Sequence, residues 1–528
     1  MAESAQHIII IIATTVVSLI FLRLFIAAKR KHVRKTTPDL RLPPSPPSLP
    51  LIGHIHHLAS IQPMFKTFHA LQRKYGPLLY LRLGSYPVVL VSSPPLADEI
   101  FREHDVSFAG KPESPLADRL LFGDSGFVTA PYGEYWRFMK KMCVTELFST
   151  RQLERSRSVR REELARFLRR LAMKSQATAA VDLRDELLTL GNNIICRMAM
   201  SMKCSEEDNE AKRYRTLVNA TRDLTLKMLL TSMLGPFKKL GRFMLRKQAT
   251  EVPARFDELL EGILKKHEER SGGGADDETN CDDLMDILLR VSKDPNAEVN
   301  VTRKNIKAFF LDLFLAGTGT TTDATVWVMA ELINHPEVFK RVRKEIHDLI
   351  GSNNNGRLVE ETDVPNLPYL QAVVKEAMRL HPPVVVVPRA CRETCNVGGF
   401  DIPKGTAVAI NVYSIMRDPA VWVNPDDYSP ERFLKSSDDS GRRSHHGGFI
   451  PFGGGRRMCV GSAMALSVIH CAVAAMVHFF DWKLENGEES VNMETTLGFN
   501  MTLAKPLVCL PQLVCADSVF RSVEVSSR

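Results

Sequence analysis

Cysteine is scarce in this sequence, ten among 528 residues, too few and too scattered for a disulfide scaffold and without paired metal-finger spacing. A reducing compartment follows as the simpler reading. Cys391 and Cys395 are separated by three residues, and their polar neighbours read as an ordinary exposed loop. No aromatic-interleaved basic stripe, zinc-finger spacing or basic zipper is present, so the formal net charge of +8 points to no nucleic acid. It suits an anionic membrane surface or an acidic protein partner. The glycines of Ser271 to Glu278 (SGGGADDE) lack a phosphate-binding lysine and a strand-to-helix setting, which excludes a P-loop and leaves a surface connection. There is no internal repeat, long low-complexity tract or second domain boundary. Hydrophobic residues at 44% and charged residues at 25% fit a folded enzyme with a large core.

One long apolar run is present. Ile8 to Ala28 (IIIIIATTVVSLIFLRLFIAA) carries Arg23 as its sole charge and is long enough to cross a bilayer once. The basic cluster Lys29 to Lys35 follows it, so the positive flank belongs in the cytosol and the amino terminus in the lumen. A cleaved signal peptide would place its charge before the apolar run. Residues 1–28 therefore read as a signal anchor, 29–50 as a basic and proline-rich linker, and 51–528 as one catalytic domain. In this topology the sequons at Asn219, Asn300 and Asn500 stay unglycosylated. The prolines of Leu42 to His54 (LPPSPPSLPLIGH) predict a stiff extended spacer that fixes how the body leans on the lipid bilayer.

Helical periodicity dominates the body, at Leu153 to Met173, Glu206 to Leu229, Val252 to His267, Lys304 to Asn334, Pro336 to Ile350 and Leu370 to Leu380. Leu78 to Leu83 and Val88 to Val91 predict a hairpin turning near Ser85-Tyr86-Pro87, and Thr406 to Val412 a further strand. The fold class is mainly α with small β-sheets.

Near the carboxyl end stands FIPFGGGRRMCVGSAMAL, Phe449 to Leu466. Its glycines permit a tight loop, and the apolar residues after Cys459 begin a helix, where amide dipoles favour the metal-binding thiolate. Phe452, Gly455, Arg457, Cys459 and Gly461 together resemble the haem-binding loop of the cytochrome P-450 family. The resemblance implies that Cys459 is the metal ligand to the iron of haem b, that Phe452 shields the thiolate, and that Arg457 pairs with a propionate. Val460 stands where the family has proline.

Further stretches match the same family. Glu376 and Arg379 in KEAMRLHP share a helical face and, with Arg432 in PERF, resemble its structural triad. WRFMKK resembles the helix that reaches the propionates through Trp136 and a cation four residues on, here Lys140 where arginine is usual. Arg389 in VPRA matches another propionate-binding position. AGTGTTTDAT, Ala316 to Thr325, resembles the oxygen-activation segment, with Thr320 at the position of the proton-relaying hydroxyl. Gly319 replaces the acid expected before it, and Asp323, four residues on, is the candidate substitute, with ordered water the alternative.

What the resemblance implies is the cytochrome P-450 fold and a monooxygenase fed from NADPH by a membrane-bound reductase, with a b-type cytochrome as a further donor and a small lipophilic substrate. Family correspondence places the pocket at Phe108 to Phe127, Leu311 to Thr320, Val384 to Val387 and Leu497 to Thr502, mostly apolar near the iron. The motif spellings resemble plant microsomal members that oxidise terpenoids, triterpenoids first, and flavonoids next. A reductase-independent isomerase or dehydratase of the same fold is the alternative activity.

Overall fold

The computed structural model describes residues 40–514 apart from 51, 59–61, 85, 113–124, most of 203–242, 273–282, 351–356, 435–447 and 498–499. The expected anchor, the basic cluster and most of the expected helix from Glu206 to Leu229 lie outside the described residues. The helices that build the body are α1 (Met64–Tyr75), α2 (Pro94–Arg102), α3 (Glu134–Met142), α4 (Arg157–Gln176), α5 (Leu183–Met200) and α6 (Arg246–Gly272). They continue as α7 (Leu284–Lys293), α8 (Arg303–Asn334), α9 (Pro336–Ile350), α10 (Pro368–Leu380) and α11 (Ser462–Phe479). Strands β1 (Leu78–Leu83) and β2 (Tyr86–Val91) form the expected hairpin and lie in a four-stranded sheet with β4 (Val386–Ala390) and β7 (Ala407–Asn411), in the order β1-β2-β7-β4. A three-stranded sheet joins β3 (Val181–Asp182), β9 (Val508–Leu513) and β8 (Phe480–Leu484), while β5 (Cys395–Val397) pairs with β6 (Phe400–Ile402).

Each long helix carries its own start signal. Thr302 caps α8 with a reciprocal box, its Oγ1 accepting from the Asn305 amide while Asn305 Oδ1 accepts from the Thr302 amide. Asp182 caps α5, and Ser201 ends it in the left-handed region at φ +49°. Asp283 and Asp286 box the start of α7. His267 Nδ1 lies 2.9 Å from Asp286 Oδ1, so this acidic cluster is occupied with capping a helix. The expected helix from Leu153 breaks at Ser156, whose hydroxyl bonds back to the Gln152 and Leu153 carbonyls and competes with the helical ladder.

The largest core cluster lies where α8, α10 and α11 meet, around Trp327, Met329, Val373, Val473, Met476 and Phe479. Among the described residues α11 alone is long and apolar enough to cross a membrane, yet 67% of it is buried inside the body. It is a core helix, apolar around most of its girth because the body covers most of it. The proline-rich spacer clings to the body instead of standing clear of it. Tyr80 N–H donates to Pro44 O (2.8 Å), and buried His54 takes the Arg82 amide on Nδ1 (2.7 Å) and donates from Nε2 to Pro46 O (2.9 Å).

Candidate functional site

The glycine loop before α11 is closed by its own backbone. Gly453 N–H donates to Ile450 O, Met458 N–H to Gly455 O, and Cys459 N–H to Phe452 O at 3.1 Å. Gly453 and Gly455 hold positive φ, +73° and +67°. Gly454 is required for a different reason: a Cβ there would stand 2.4 Å from Cδ2 of Phe101. Asp105 receives the Arg456 amide (2.7 Å) and pairs with its guanidinium (3.0 Å), tying the loop to the segment after α2. This closure presents the Cys459 side chain at an exposed position two residues before the first glycine cap of α11. Surrounding chain pushes its thiol up, and a bond from Gly461 N–H pulls it back toward thiolate. Phe452 is half-buried against the main core.

Beside this loop the expected cations converge. Arg457 donates from Nε to Ala109 O and from Nη2 to Ala130 O, both at 2.6 Å, and its guanidinium lies 4.7 Å over the Trp136 ring. Lys140 lies 5.4 Å over the same ring and donates to Arg456 O. Arg389, buried on β4, donates to Gly454 O at 3.2 Å. Lys111, which no motif marked, completes the set: burial, then Arg389 and Arg457, push its ammonium down to about 7. Burial also pushes Arg389 and Arg457 down to about 10. Trp136 Nε1 is buried and has no acceptor among the described residues. Crowded, desolvated cations and an unmet indole N–H call for a compact dianion, which the two propionates of haem supply.

Helix α8 reaches the cation cluster through aromatic rings. Phe309 meets Phe127 (6.4 Å), which stacks on Trp136 (5.8 Å, 12°), so the helix and the cation cluster share one aromatic bridge. In mid-helix Ala316 is exposed and Thr320 partly so, whereas Thr318 and Thr322 on the opposite side are buried. Gly317 is wanted by its neighbour, since a Cβ would lie 2.7 Å from Ile195 Cδ1 of α5. Hydroxyls of Thr318, Thr320, Thr321 and Thr325 each donate to the carbonyl four residues back, at 2.7–3.0 Å.

Asp323 is fully enclosed. Its Oδ1 pairs with Arg184 Nε of α5 (3.0 Å), and its Oδ2 accepts from Thr502 Oγ1 (3.2 Å), so it ties α8 to the segment expected to line the pocket. A second acid, Asp312, lies one turn before Ala316 and was not singled out, although its i, i+4 spacing was visible. It accepts from Val128 N–H (2.8 Å), and burial pushes its carboxyl up to about 6.

The Glu376, Arg379 and Arg432 side chains meet. Arg379 gives Nε to Glu376 Oε2 (2.8 Å) and Nη2 to Oε1 (2.9 Å), and Arg432 Nε reaches Oε1 (2.8 Å). Arg379 also donates to the Met416, Pro425 and Asp427 carbonyls, pinning the strand-poor segment behind the loop onto α10.

An exposed thiol on a glycine loop that also carries Arg457 of a cation cluster fit for propionates, with a small-residue helix bridged to that cluster, is the arrangement a haem-thiolate protein needs. The cytochrome P-450 family model matches residues 43–510. The chain belongs to the cytochrome P-450 family, whose members are monooxygenase oxidoreductases that use haem b. Cytochrome P-450 705A5 of Arabidopsis thaliana is 45% identical over 474 residues, 89% of this chain and 91% of that protein. A 3,9-dihydroxypterocarpan 6A-monooxygenase of Glycine max is 40% identical over 476 residues, 89% and 92% of the two chains. Among solved structures, a zebrafish cytochrome P-450 with progesterone shares the fold at a TM-score of 0.71 and 24% identity, covering 85% of this chain and 100% of that one. Plant members of the family generally receive electrons from an NADPH-cytochrome P-450 reductase, and the relatives mark this chain as a plant monooxygenase of specialised metabolism.

Proposed function

We propose that the protein hydroxylates a bulky lipophilic terpenoid, triterpenoids first, with successive oxidation at one carbon within its reach. Support comes from the lining expected around exposed Ala316 and partly exposed Thr320, with partly exposed Leu315, Val384, Val386 and Val387 supplying apolar surface and few fixed charges. A flavonoid-type phenolic is the second reading, favoured by the 40% identity to the pterocarpan monooxygenase. The anchor, an endoplasmic reticulum membrane location with the catalytic body cytosolic, and docking of the reductase on a basic face belong to the same proposal.

Cys459 would hold the iron, and Trp136, Lys140, Arg389 and Arg457 would hold the propionates, with Lys111 beside them. Haem with a thiolate ligand supplies oxygen activation, the thiolate's electron donation favouring O–O cleavage. What the chain adds is position and protons. Ala316 and Gly317 keep the helix slim over the site. The Thr320 hydroxyl, bonded to Ala316 O at 2.7 Å, swings from that carbonyl to pass a proton. With Gly319 carrying no acid, Asp323 or ordered water serves in its place. The ion pair with Arg184 keeps Asp323 an acceptor, which favours ordered water held between Thr320 and the Gly319 gap.

The observation that carries the reading is Cys459 presented beside the desolvated cations. Its test is a reduced carbon monoxide difference spectrum of microsomal protein, followed by NADPH-dependent oxidation of a triterpenoid and flavonoid panel. A thiolate-type Soret band with a triterpenoid product supports the proposal, and a flavonoid product alone moves it to the second reading. Turnover without NADPH-dependent oxygen uptake would assign the isomerase or dehydratase activity instead.

A further inference from the structure

The turn joining β4 to β5 differs from the exposed loop that its polar residues predict. Cys391 is 2% exposed and packs in a hydrophobic cluster with Phe108, Val397, Ile402 and Val408. Its sulfur lies 3.7 Å from that of Cys395, which is only half-buried, and 2.8 Å from Glu393 O. Other buried thiols are unlike this pair: burial pushes Cys143, Cys471 and Cys509 up to about 12, where they are unreactive. Here Cys395 donates to Cys391, which draws Cys391 down from its ordinary value and pushes Cys395 itself well up, so it is the 3.7 Å approach of the two sulfurs that sets the pair apart.

The same turn works as a clamp. Ala390 N–H donates to Gly110 O (2.9 Å), Arg392 N–H to Ser107 O (2.7 Å), and the Arg392 guanidinium to Val106 O (3.2 Å). Ser107 Oγ donates to Glu393 Oε1, and Cys391 N–H to Thr406 O. The clamped segment carries Ala109, whose carbonyl takes Arg457, and Lys111 follows it directly.

We propose that Cys391 and Cys395 are an oxidative modification site, closed by hydrogen peroxide into a reversible disulfide that locks this clamp on residues 106–110. The two S–H bonds and the peroxide O–O bond break, one S–S bond forms, and two waters leave; the thiols lose two electrons and the peroxide gains them. The sulfurs approach by less than 2 Å to reach a bonding distance of about 2 Å, within reach of a side-chain rotation at the half-buried Cys395. In a reducing compartment the bond reopens by thiol exchange.

Trypsin supplies a clean readout because Arg392 lies between the two thiols. The full-length haem-loaded protein is treated with stoichiometric hydrogen peroxide, alkylated and digested. The expected product is a pair of tryptic peptides joined by a disulfide and separated again by dithiothreitol. Cys395→Ser and Cys391→Ala should each abolish the joined pair while leaving the thiolate-type spectrum intact. Hydrogen exchange at the amides of Ala390 to Arg392 should slow about tenfold in the oxidised protein, as expected for a short covalent loop. Oxidation of Cys395 to sulfinic acid without the joined peptides would overturn the site, and a disulfide that leaves exchange unchanged would overturn the lock.

Discussion

Glu376→Gln is the substitution whose cost the structure sets most clearly. The carboxylate is fully buried and takes four donors: two from Arg379, one from Arg432 and the Ser429 amide at 3.0 Å. Glutamine keeps the shape but turns one acceptor into a donor facing guanidinium groups. Arg379 is itself fully buried, so its charge loses its counter-ion without gaining water. Its three carbonyl partners remain and moderate the loss. Breaking a buried pair of this kind costs about 3–5 kcal/mol, at least about a fifth of a stability of about 5–15 kcal/mol. The control is Lys344→Met, which removes a pair at 2.5 Å whose side chains are 74% and 63% exposed and costs less than about 1 kcal/mol. Urea unfolding of the haem-loaded protein, followed by Soret circular dichroism, measures both. Glu376→Gln should lower the midpoint severalfold more than the control, while the fraction still folded keeps its thiolate-type spectrum. Equal shifts would refute the account of the triad as a buried electrostatic clasp.

Three other outcomes are expected. Gly454→Ala forces the Phe101 ring aside and with it the Arg389 guanidinium 5.9 Å above that ring; overpacking costs about 1–3 kcal/mol, and haem transfer to apomyoglobin should quicken. His470, 6% exposed and pushed by burial down to about 4, stays neutral in the fold while the unfolded chain binds protons from its ordinary 6.5 downward. Stability therefore falls as pH drops from 6.5 through 4, by up to about 3 kcal/mol at this residue, and His470→Leu should flatten that part of an acid-unfolding curve. Arg184→Met frees Asp323 from its ion pair; if Asp323 holds the pocket segment and water carries the proton, NADPH consumption per product should rise while the carbon monoxide spectrum is unchanged.

The strongly periodic elements were legible from residues alone. Pro336–Ile350 and Leu78–Leu83 fall where their apolar spacing predicts, and Arg303–Asn334 begins one residue early because Thr302 and Asn305 cap it. α5 escaped notice because Arg184, Asp185, Asn192 and Asn193 interrupt its apolar stripe, and two of those residues prove to be buried. The full extent of α11 escaped notice for the opposite reason, having no polar face to give a period. At the site, contiguous motifs announced Cys459, Arg457 and Trp136. Lys111 and Arg184 act through contacts across the fold, with Arg389 and Arg457 in one case and Asp323 in the other, and nothing local in sequence encodes them.

Helix α8 behaves mechanically as a beam fixed at both ends. At 1.5 Å per residue its 32 residues span about 48 Å. One end is held by Asn305 on Ser125 O and by the Phe309 contact with Phe127. The other is held by Trp327 stacked at 4.0 Å on His381, and by Glu331, 2.6 Å from that imidazole. Between these supports lies a compliant section of two glycines and four threonines whose hydroxyls lean on the carbonyls of the preceding turn, a pattern that loosens and bends a helix. Gly317 against Ile195 and Asp323 on Arg184 hold the back of this section to α5, so what give it has is left to the side bearing Ala316 and Thr320. The end supports and the ties to α5 thus leave one side of a single helix to yield, while its ends and its back stay in register with the triad and the aromatic bridge.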